Sequence, residues 1–300
     1  MRPAKGPPSP IRDERGAMQE PLSILAPNPS PLTGQGTNTF LLGRRHVAVI
    51  DPGPDHAGHR AAILEASGGR ITHIFVTHAH LDHSEGARAL SQQTGAPILA
   101  FGDALAGRSA VMQRLAAEGV LEGGEGLDRG FRPDMTLSDG AVVETPDWTL
   151  CAIHTPGHAA NHLSFAFEDL LFCGDIVLGW STTLISPPDG DLGDYFRSLD
   201  RIGALGASRL LPAHGAAIDS PAPRLAELAA HRRERTAQIL AALRDGPADA
   251  ATLAARIYDI PAALMPAATR NVLAHLVALD ALGAVRAEGD FSSRARFSAM

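Results

Sequence analysis

Apolar residues change their rhythm twice along this chain, dividing it into three parts. Residues 1–30 mix proline and polar residues without a repeat, which predicts a mobile leader or an extended edge segment. Short apolar runs begin at Asn38. "TFLLG" and "HVAVIDPG" predict two strands joined as a hairpin at Gly43-Arg44-Arg45, with Asp51-Pro52-Gly53 turning the chain after the second. "HRAAILEASGG" predicts a helix ended by glycine, and "ITHIFVTH" a buried strand. A helix in "SEGARALSQQTG" and a short strand in "APILA" follow, whereas 101–136 reads as mostly helical or irregular. Three further strands lie in "WTLCAIHTPG", "HLSFAFED" and "LLFCGDIV". A helix in "DLGDYFRSLDRIGAL", capped by Asp191 or Asp194, then leads to a strand in "RLLPAHG".

After Pro223 no long strand pattern returns. Apolar residues at 225, 228, 229, 239, 240 and 243 trace an amphipathic helix. "AATLAARIY" and "ATRNVLAHLVALDALG" predict two more, and "AVRAEGDFSSRARF" a two-stranded ribbon around Gly289-Asp290. Three helices closed by a ribbon outline a winged helix-turn-helix unit. A boundary near 220, at "DSPAPR", therefore separates an α/β domain over 31–220 from a helical unit over 221–300.

Composition narrows the function classes. With 45% apolar and 20% charged residues the chain resembles an ordinary globular protein. No run reaches the 18 or so unbroken apolar residues of a membrane span, and the N-terminus lacks an apolar signal core. Two cysteines, Cys151 and Cys173, cannot build a disulfide framework and are expected in the core of a cytoplasmic protein. The net charge of −7 argues against indiscriminate polyanion binding. From Arg224 onward ten Arg face eight acidic residues, so that part carries +2 and the remainder −9.

The candidate chemistry starts in "THAHLDH", Thr77–His83. On an extended loop His78 and His80 point the same way, while Asp82 and His83 begin the next helix beside them. Imidazole and carboxylate together suit zinc, manganese or iron. The alternative is a polar surface loop. Further candidates lie just past apolar runs: His158 after "IHTPG", Asp175 after "LFCG" and His214 after "LLPA". Singly each is an ordinary turn residue; jointly they supply a second set of ligands at one sheet edge.

With "HAHLDH", "TPGH", "GD", "PAHG" and "DPG" in this order, residues 35–220 resemble the metallo-β-lactamase superfamily. The resemblance implies an αββα sandwich of two mixed sheets followed by the winged-helix unit, with two metals at one edge. It gives His78, His80 and His158 to one metal, Asp82, His83 and His214 to the other, and Asp175 to both; Asp51 would steady the histidine loop. It further implies hydrolysis by a metal-bridging hydroxide that Asp82 orients. His162 is placed to donate a proton or contact substrate, or else is an exposed strand-start histidine. Asp175 stands where some β-lactamases of this fold carry cysteine, which points to the thioesterase, phosphodiesterase and ribonuclease branch.

"QGTNTFLLG", the run from "GD" into "DYFRSL", and "AAHRRERTAQIL" after "PAHG" are similar to the β-lactamase-like-protein-2 family, whose members include an endoribonuclease for single strands. The leading expectation is a cytoplasmic binuclear hydrolase, zinc first among its metals, cleaving single-stranded RNA or another phosphodiester. A small thioester, ester or lactone is the alternative substrate, and a winged-helix nucleic-acid-binding regulator a third reading. A homodimer is left open. Arg270, Asn271 and His275 either face a nucleic-acid backbone or serve packing, the more frequent use of such units in enzymes. Arg232, Arg233 and Arg235 form a solvated helix face on the simplest reading. Ser181, Thr182 and Thr183 are candidate substrate contacts in a long loop after Asp175.

Overall fold

The computed structural model describes residues 20–117, 126–289, 292 and 294–300. The strand-rich part forms two facing sheets. The first holds β1 (Leu22–Leu25), β2 (Asn38–Leu42), β3 (Val47–Ile50), β4 (Ile71–Phe75), β5 (Ile98–Ala100) and β6 (Met135–Thr136), side by side in chain order. β1 to β3 pair antiparallel, β2 and β3 through a short turn. β3 to β6 pair parallel, which requires crossovers; α1 (Ala57–Ser67) and α2 (Leu81–Thr94) supply the first two. After α3 (Ala110–Ala117) and β6 the chain enters the second sheet. It comprises β7 (Val142–Glu144), β8 (Thr149–His154), β9 (Leu163–Phe167), β10 (Leu170–Gly174) and β11 (Arg209–Pro212), ordered β11-β10-β9-β8-β7. Only its β10–β11 pair is parallel, and α4 (Leu192–Leu205) bridges it.

Period-two alternation explains the layers. Phe40, Leu42, Ala48, Ile50 and Phe75 face Leu150, Ala152, Phe165 and Phe172 across the sandwich, with Trp148 closing one end. The opposite face of the first sheet is covered by Ile63 of α1 and Ala87 and Leu90 of α2. That of the second is covered by Tyr195, Leu199 and Ile202 of α4. Cys173 is buried there. Cys151 is only half-buried, contrary to the core position expected of it, because Leu150 and Ala152 take the inward places on β8. Asp191, not Asp194, caps α4, accepting from the Gly193 and Asp194 amides.

Residues 1–19 of the proline-rich segment, 118–125 and Asp290 lie outside the described residues. Leu22–Leu25 of that segment pairs with β2 as an edge strand, so the alternative of an extended edge holds for this part.

The C-terminal unit consists of α5 (Pro221–Ala242), α6 (Ala250–Ile257), α7 (Met265–Ala281) and a ribbon of β12 (Val285–Ala287) with β13 (Phe297–Ala299). Leu253, Val272, Leu276, Val285 and Phe297 form its core. α5 belongs to two cores: Leu225 and Leu228 pack with α4, Ile239 with the C-terminal unit. The stretch Ala262–Ala281 is long and apolar enough by composition to cross a bilayer, with mean hydropathy 1.3. Its Val272, Leu273, Leu276 and Val277 are instead buried in the C-terminal core.

Candidate metal centre

The C-terminal ends of β3 and β4 share one edge because these strands run parallel, and those of β8, β10 and β11 share one for the same reason. Strand ends are where open α/β sheets present ligands. Asp51 follows β3, and Thr77 and His78 follow β4. His158 lies beyond β8, Asp175 directly follows β10, and His214 lies just past β11. His80 is the extended N-cap of α2, which places Asp82 and His83 in the helix's first turn, where the helix dipole favours a carboxylate.

The predicted ligands converge. His78, His80 and His158 form one group, Asp82, His83 and His214 a second, and His78, His83 and Asp175 a third, with the ligand atoms of each group within 4.8 Å of one another. His80 Nδ1 lies 2.9 Å from both His78 Nε2 and His158 Nε2. Asp175 Oδ2 sits between the groups, 3.3 Å from His214 Nε2, 3.5 Å from His83 Nε2 and 3.7 Å from His158 Nε2.

Hydrogen bonds on the far side of four rings fix their tautomers. The Thr77 hydroxyl donates to Asp51 Oδ2, so it accepts from His78 Nδ1. His83 Nδ1 donates to Asp51 Oδ2 at 2.9 Å, His158 Nδ1 to the Leu184 carbonyl at 2.7 Å, and His214 Nδ1 to the Gly36 carbonyl at 3.1 Å. Each Nε2 is thereby turned to the centre, the arrangement of an imidazole metal ligand. Buried His83 Nε2 and Asp175 Oδ1 have no hydrogen-bond partner, the mark of atoms that suit a cation.

The electrostatics separate the rings. Burial, reinforced by neighbouring imidazoles, holds His78 well below its ordinary range, and burial with His158 brings His80 to about 4. At His214 burial opposes protonation, but Asp175 and Asp82 outweigh it and lift the ring to about 10. His83 is raised in the same way by Asp82, Asp175 and Asp51. Three carboxylates in one buried edge thus call for positive charge, and a divalent cation supplies it.

His162 contradicts both sequence readings. It is fully buried rather than exposed, and both ring nitrogens are occupied: Nδ1 bonds the Thr155 hydroxyl at 2.9 Å and Nε2 accepts the Asp175 amide at 3.1 Å. A ring so engaged has no proton to offer substrate, and it acts as a support beneath Asp175.

A cleft of about 370 Å³ opens over the metal edge. His80, Asp82, His158, Asp175 and His214 make its floor. Its walls are Leu32, Trp180 and Leu184 on one side, and Tyr258, Ile260 and Leu264 of the C-terminal unit on the other. Trp180 is half-exposed and lies across Gly34 and Gly215; a Cβ at Gly215 would come within 2.8 Å of its ring. Ser181, Thr182 and Thr183 line the cleft. No Lys or Arg lines it among the described residues.

Arg232 of α5 corrects a second expectation, whereas Arg233 stays exposed as expected. Arg232 is buried, not solvated: it donates to the Thr183 carbonyl and to Asn271 Oδ1, and its guanidinium lies 5.6 Å from the Tyr195 ring centre. Arg233 packs over Phe196 and Arg235 over Tyr258. Asn271 and His275 also point inward, to Ile185 and Thr236, and Asn271 reaches the cleft lining. Nothing in the sequence marked Tyr258 or Leu264 as site residues, because they come from separate segments with no shared motif; Leu184 lies in the loop after Asp175 that the sequence did single out.

Residues 32–214 match the metallo-beta-lactamase superfamily, and residues 250–294 the beta-lactamase associated winged helix domain. The beta-lactamase-like protein 2 homolog of Drosophila melanogaster is 30% identical over 88% of this chain and 89% of its own length. An atrochrysone carboxyl ACP thioesterase of Aspergillus chevalieri is 31% identical over 79% of this chain and 70% of its own. A crystal structure of a metallo-beta-lactamase family protein from Thermus thermophilus superposes over 93% of this chain and 98% of that one, at 26% identity and a TM-score of 0.75. Some curated relatives are longer, and the chain spans as little as 61% of one of them.

Proposed function

The chain belongs to the metallo-β-lactamase superfamily of hydrolases, and on that premise we propose that it is a binuclear enzyme cleaving thioesters or esters whose acyl group is apolar. The carrying observation is the cleft: a metal-ligating floor between apolar walls that lack cations among the described residues. A nucleic-acid substrate needs phosphate-neutralising Lys or Arg along its path. Arg232 is spent behind the cleft wall, and Arg224 likewise, on the Leu178 and Ser181 carbonyls. The relative named as an ACP thioesterase agrees with this substrate class.

In this reading His78, His80 and His158 would hold one metal and Asp82, His83 and His214 the second, with Asp175 placed to serve both. When bound, two divalent cations make water acidic enough to lose a proton near neutral pH and neutralise charge gathering on the scissile carbonyl oxygen. The Asp82 side chain, 28% exposed and facing the cleft, accepts a hydrogen bond from the attacking water and orients it. Trp180, Tyr258 and Leu264 take the acyl group and keep bulk water from it.

The test sets metal-replete protein against N-acetylcysteamine thioesters of acetate, butyrate and octanoate, and against single-stranded RNA. Thioester turnover is expected, with kcat/KM rising at least about tenfold from acetyl to octanoyl, as burial of added methylenes requires. Asp175→Ala should abolish it. RNA cleavage without thioester turnover overturns the proposal.

A further inference from the structure

Leu184 is the point where the C-terminal unit meets the metal edge. Its carbonyl accepts the His158 Nδ1 proton at 2.7 Å and so fixes the ring that presents Nε2 to the centre. Both neighbours of Leu184 are held from outside the catalytic domain. The Thr183 carbonyl accepts from the buried Arg232 guanidinium on α5, and the Ile185 amide donates to Asn271 Oδ1 on α7 at 3.1 Å. Arg232 also donates to that same Asn271 oxygen at 3.1 Å, so the two residues brace each other. The Thr183 hydroxyl in turn donates to the Asp175 backbone carbonyl. One short segment therefore touches two metal-edge residues, and a pair of side chains from α5 and α7 grips it on either side.

We propose that Asn271 and Arg232 are positioning residues of the metal centre, acting through Thr183–Ile185 on His158 and Asp175. The C-terminal helices α5 and α7 are then part of the metal site's frame, not an appended module. The inference rests on the metal-binding part of the proposed function. Groups that orient a metal-bound histidine from behind typically contribute a factor of about 10–100 in metal affinity.

The test measures zinc affinity of the full chain, stripped of metal, by competition with a chromophoric chelator; no substrate enters. Asn271→Leu removes the oxygen that receives both donors and should weaken binding about 10–100-fold. Asn271→Asp keeps an acceptor there, beside Arg232, and should bind at least as tightly as the wild type. Leu276→Ala thins the C-terminal core without touching the segment; it should lower the melting temperature and leave zinc affinity unchanged. Wild-type affinity in Asn271→Leu overturns the inference. So does equal weakening in Asn271→Asp or in Leu276→Ala, since either reports a general loss of packing. Wild-type protein that binds no zinc overturns the metal reading beneath it as well.

Discussion

At the scale of single residues, Asp51 does more than add charge. It sits at φ 51, in a left-handed conformation that aspartate tolerates better than most residues, and is almost fully buried. Its two oxygens accept from the Thr77 amide at 2.7 Å, the Thr77 hydroxyl at 2.8 Å and His83 Nδ1 at 2.9 Å. Asp51→Ala strands the amide and the imidazole N–H in a buried site, each costing about 1–3 kcal/mol. Chemical denaturation should register that loss, and chelator competition a fall in zinc affinity of about 10–100-fold. Gly174 is the second sensitive point. It adopts φ +49, and a Cβ there would come within 2.4 Å of His162 Nε2. Gly174→Ala should displace His162 from the Asp175 amide and destabilise the fold by about 1–3 kcal/mol, read by the same denaturation. The order of motifs made the candidate ligands legible in the sequence, and Asp51 behind them. The role of His162 was not legible, because a histidine four residues beyond a ligand carries no sign of whether it is exposed or enclosed.

At the scale of elements, α5 and α7 form the junction. His275 of α7 is buried, and its Nδ1 donates to the Thr236 hydroxyl of α5, whose own proton goes to the Arg232 carbonyl. Burial, followed by the charges of Arg232, His231 and Arg235, lowers its pKa to about 3; Arg233 and Asp200 line the groove beside it. The unfolded chain protonates this residue near 6.5, so between those values the unfolded state binds more protons and stability falls as pH drops. A His275→Leu variant should lose this part of the dependence. Melting temperatures followed from pH 7 to pH 4 should fall less steeply in the variant, and equal slopes would contradict the assignment. The 3.6-residue period placed α5 and α7 correctly, but could not tell which core each turn enters. Arg232 was read as solvated because Arg-Arg-Glu-Arg is a polar string; its partners are carbonyl and amide oxygens from distant segments that no local pattern records.

At the scale of the whole molecule, two sheets present their ligands at one edge, and a helix shared by two cores brings the C-terminal unit against that edge. The sandwich was legible because the motifs at the strand ends, in their order, resemble those of the metallo-β-lactamase superfamily. The substrate was not: the expectation of RNA drew on a family resemblance, whereas the cleft's apolar character arises from Leu32, Trp180, Tyr258 and Leu264, which meet only in the folded chain. Widening the cleft at its C-terminal wall should change selectivity more than rate. Leu264→Ala should raise KM for the octanoyl thioester more than for the acetyl one, in steady-state kinetics on both; equal effects would remove Leu264 from the acyl site.

The central claim is that one edge of this sandwich holds two metal ions. Its most direct test is elemental analysis of protein stripped by chelator and dialysed against zinc, for the wild type, His80→Ala and Asp175→Ala. The account predicts about two zinc ions per wild-type chain and fewer in each variant. Wild-type protein that retains no zinc, or variants that keep the full complement, would contradict it.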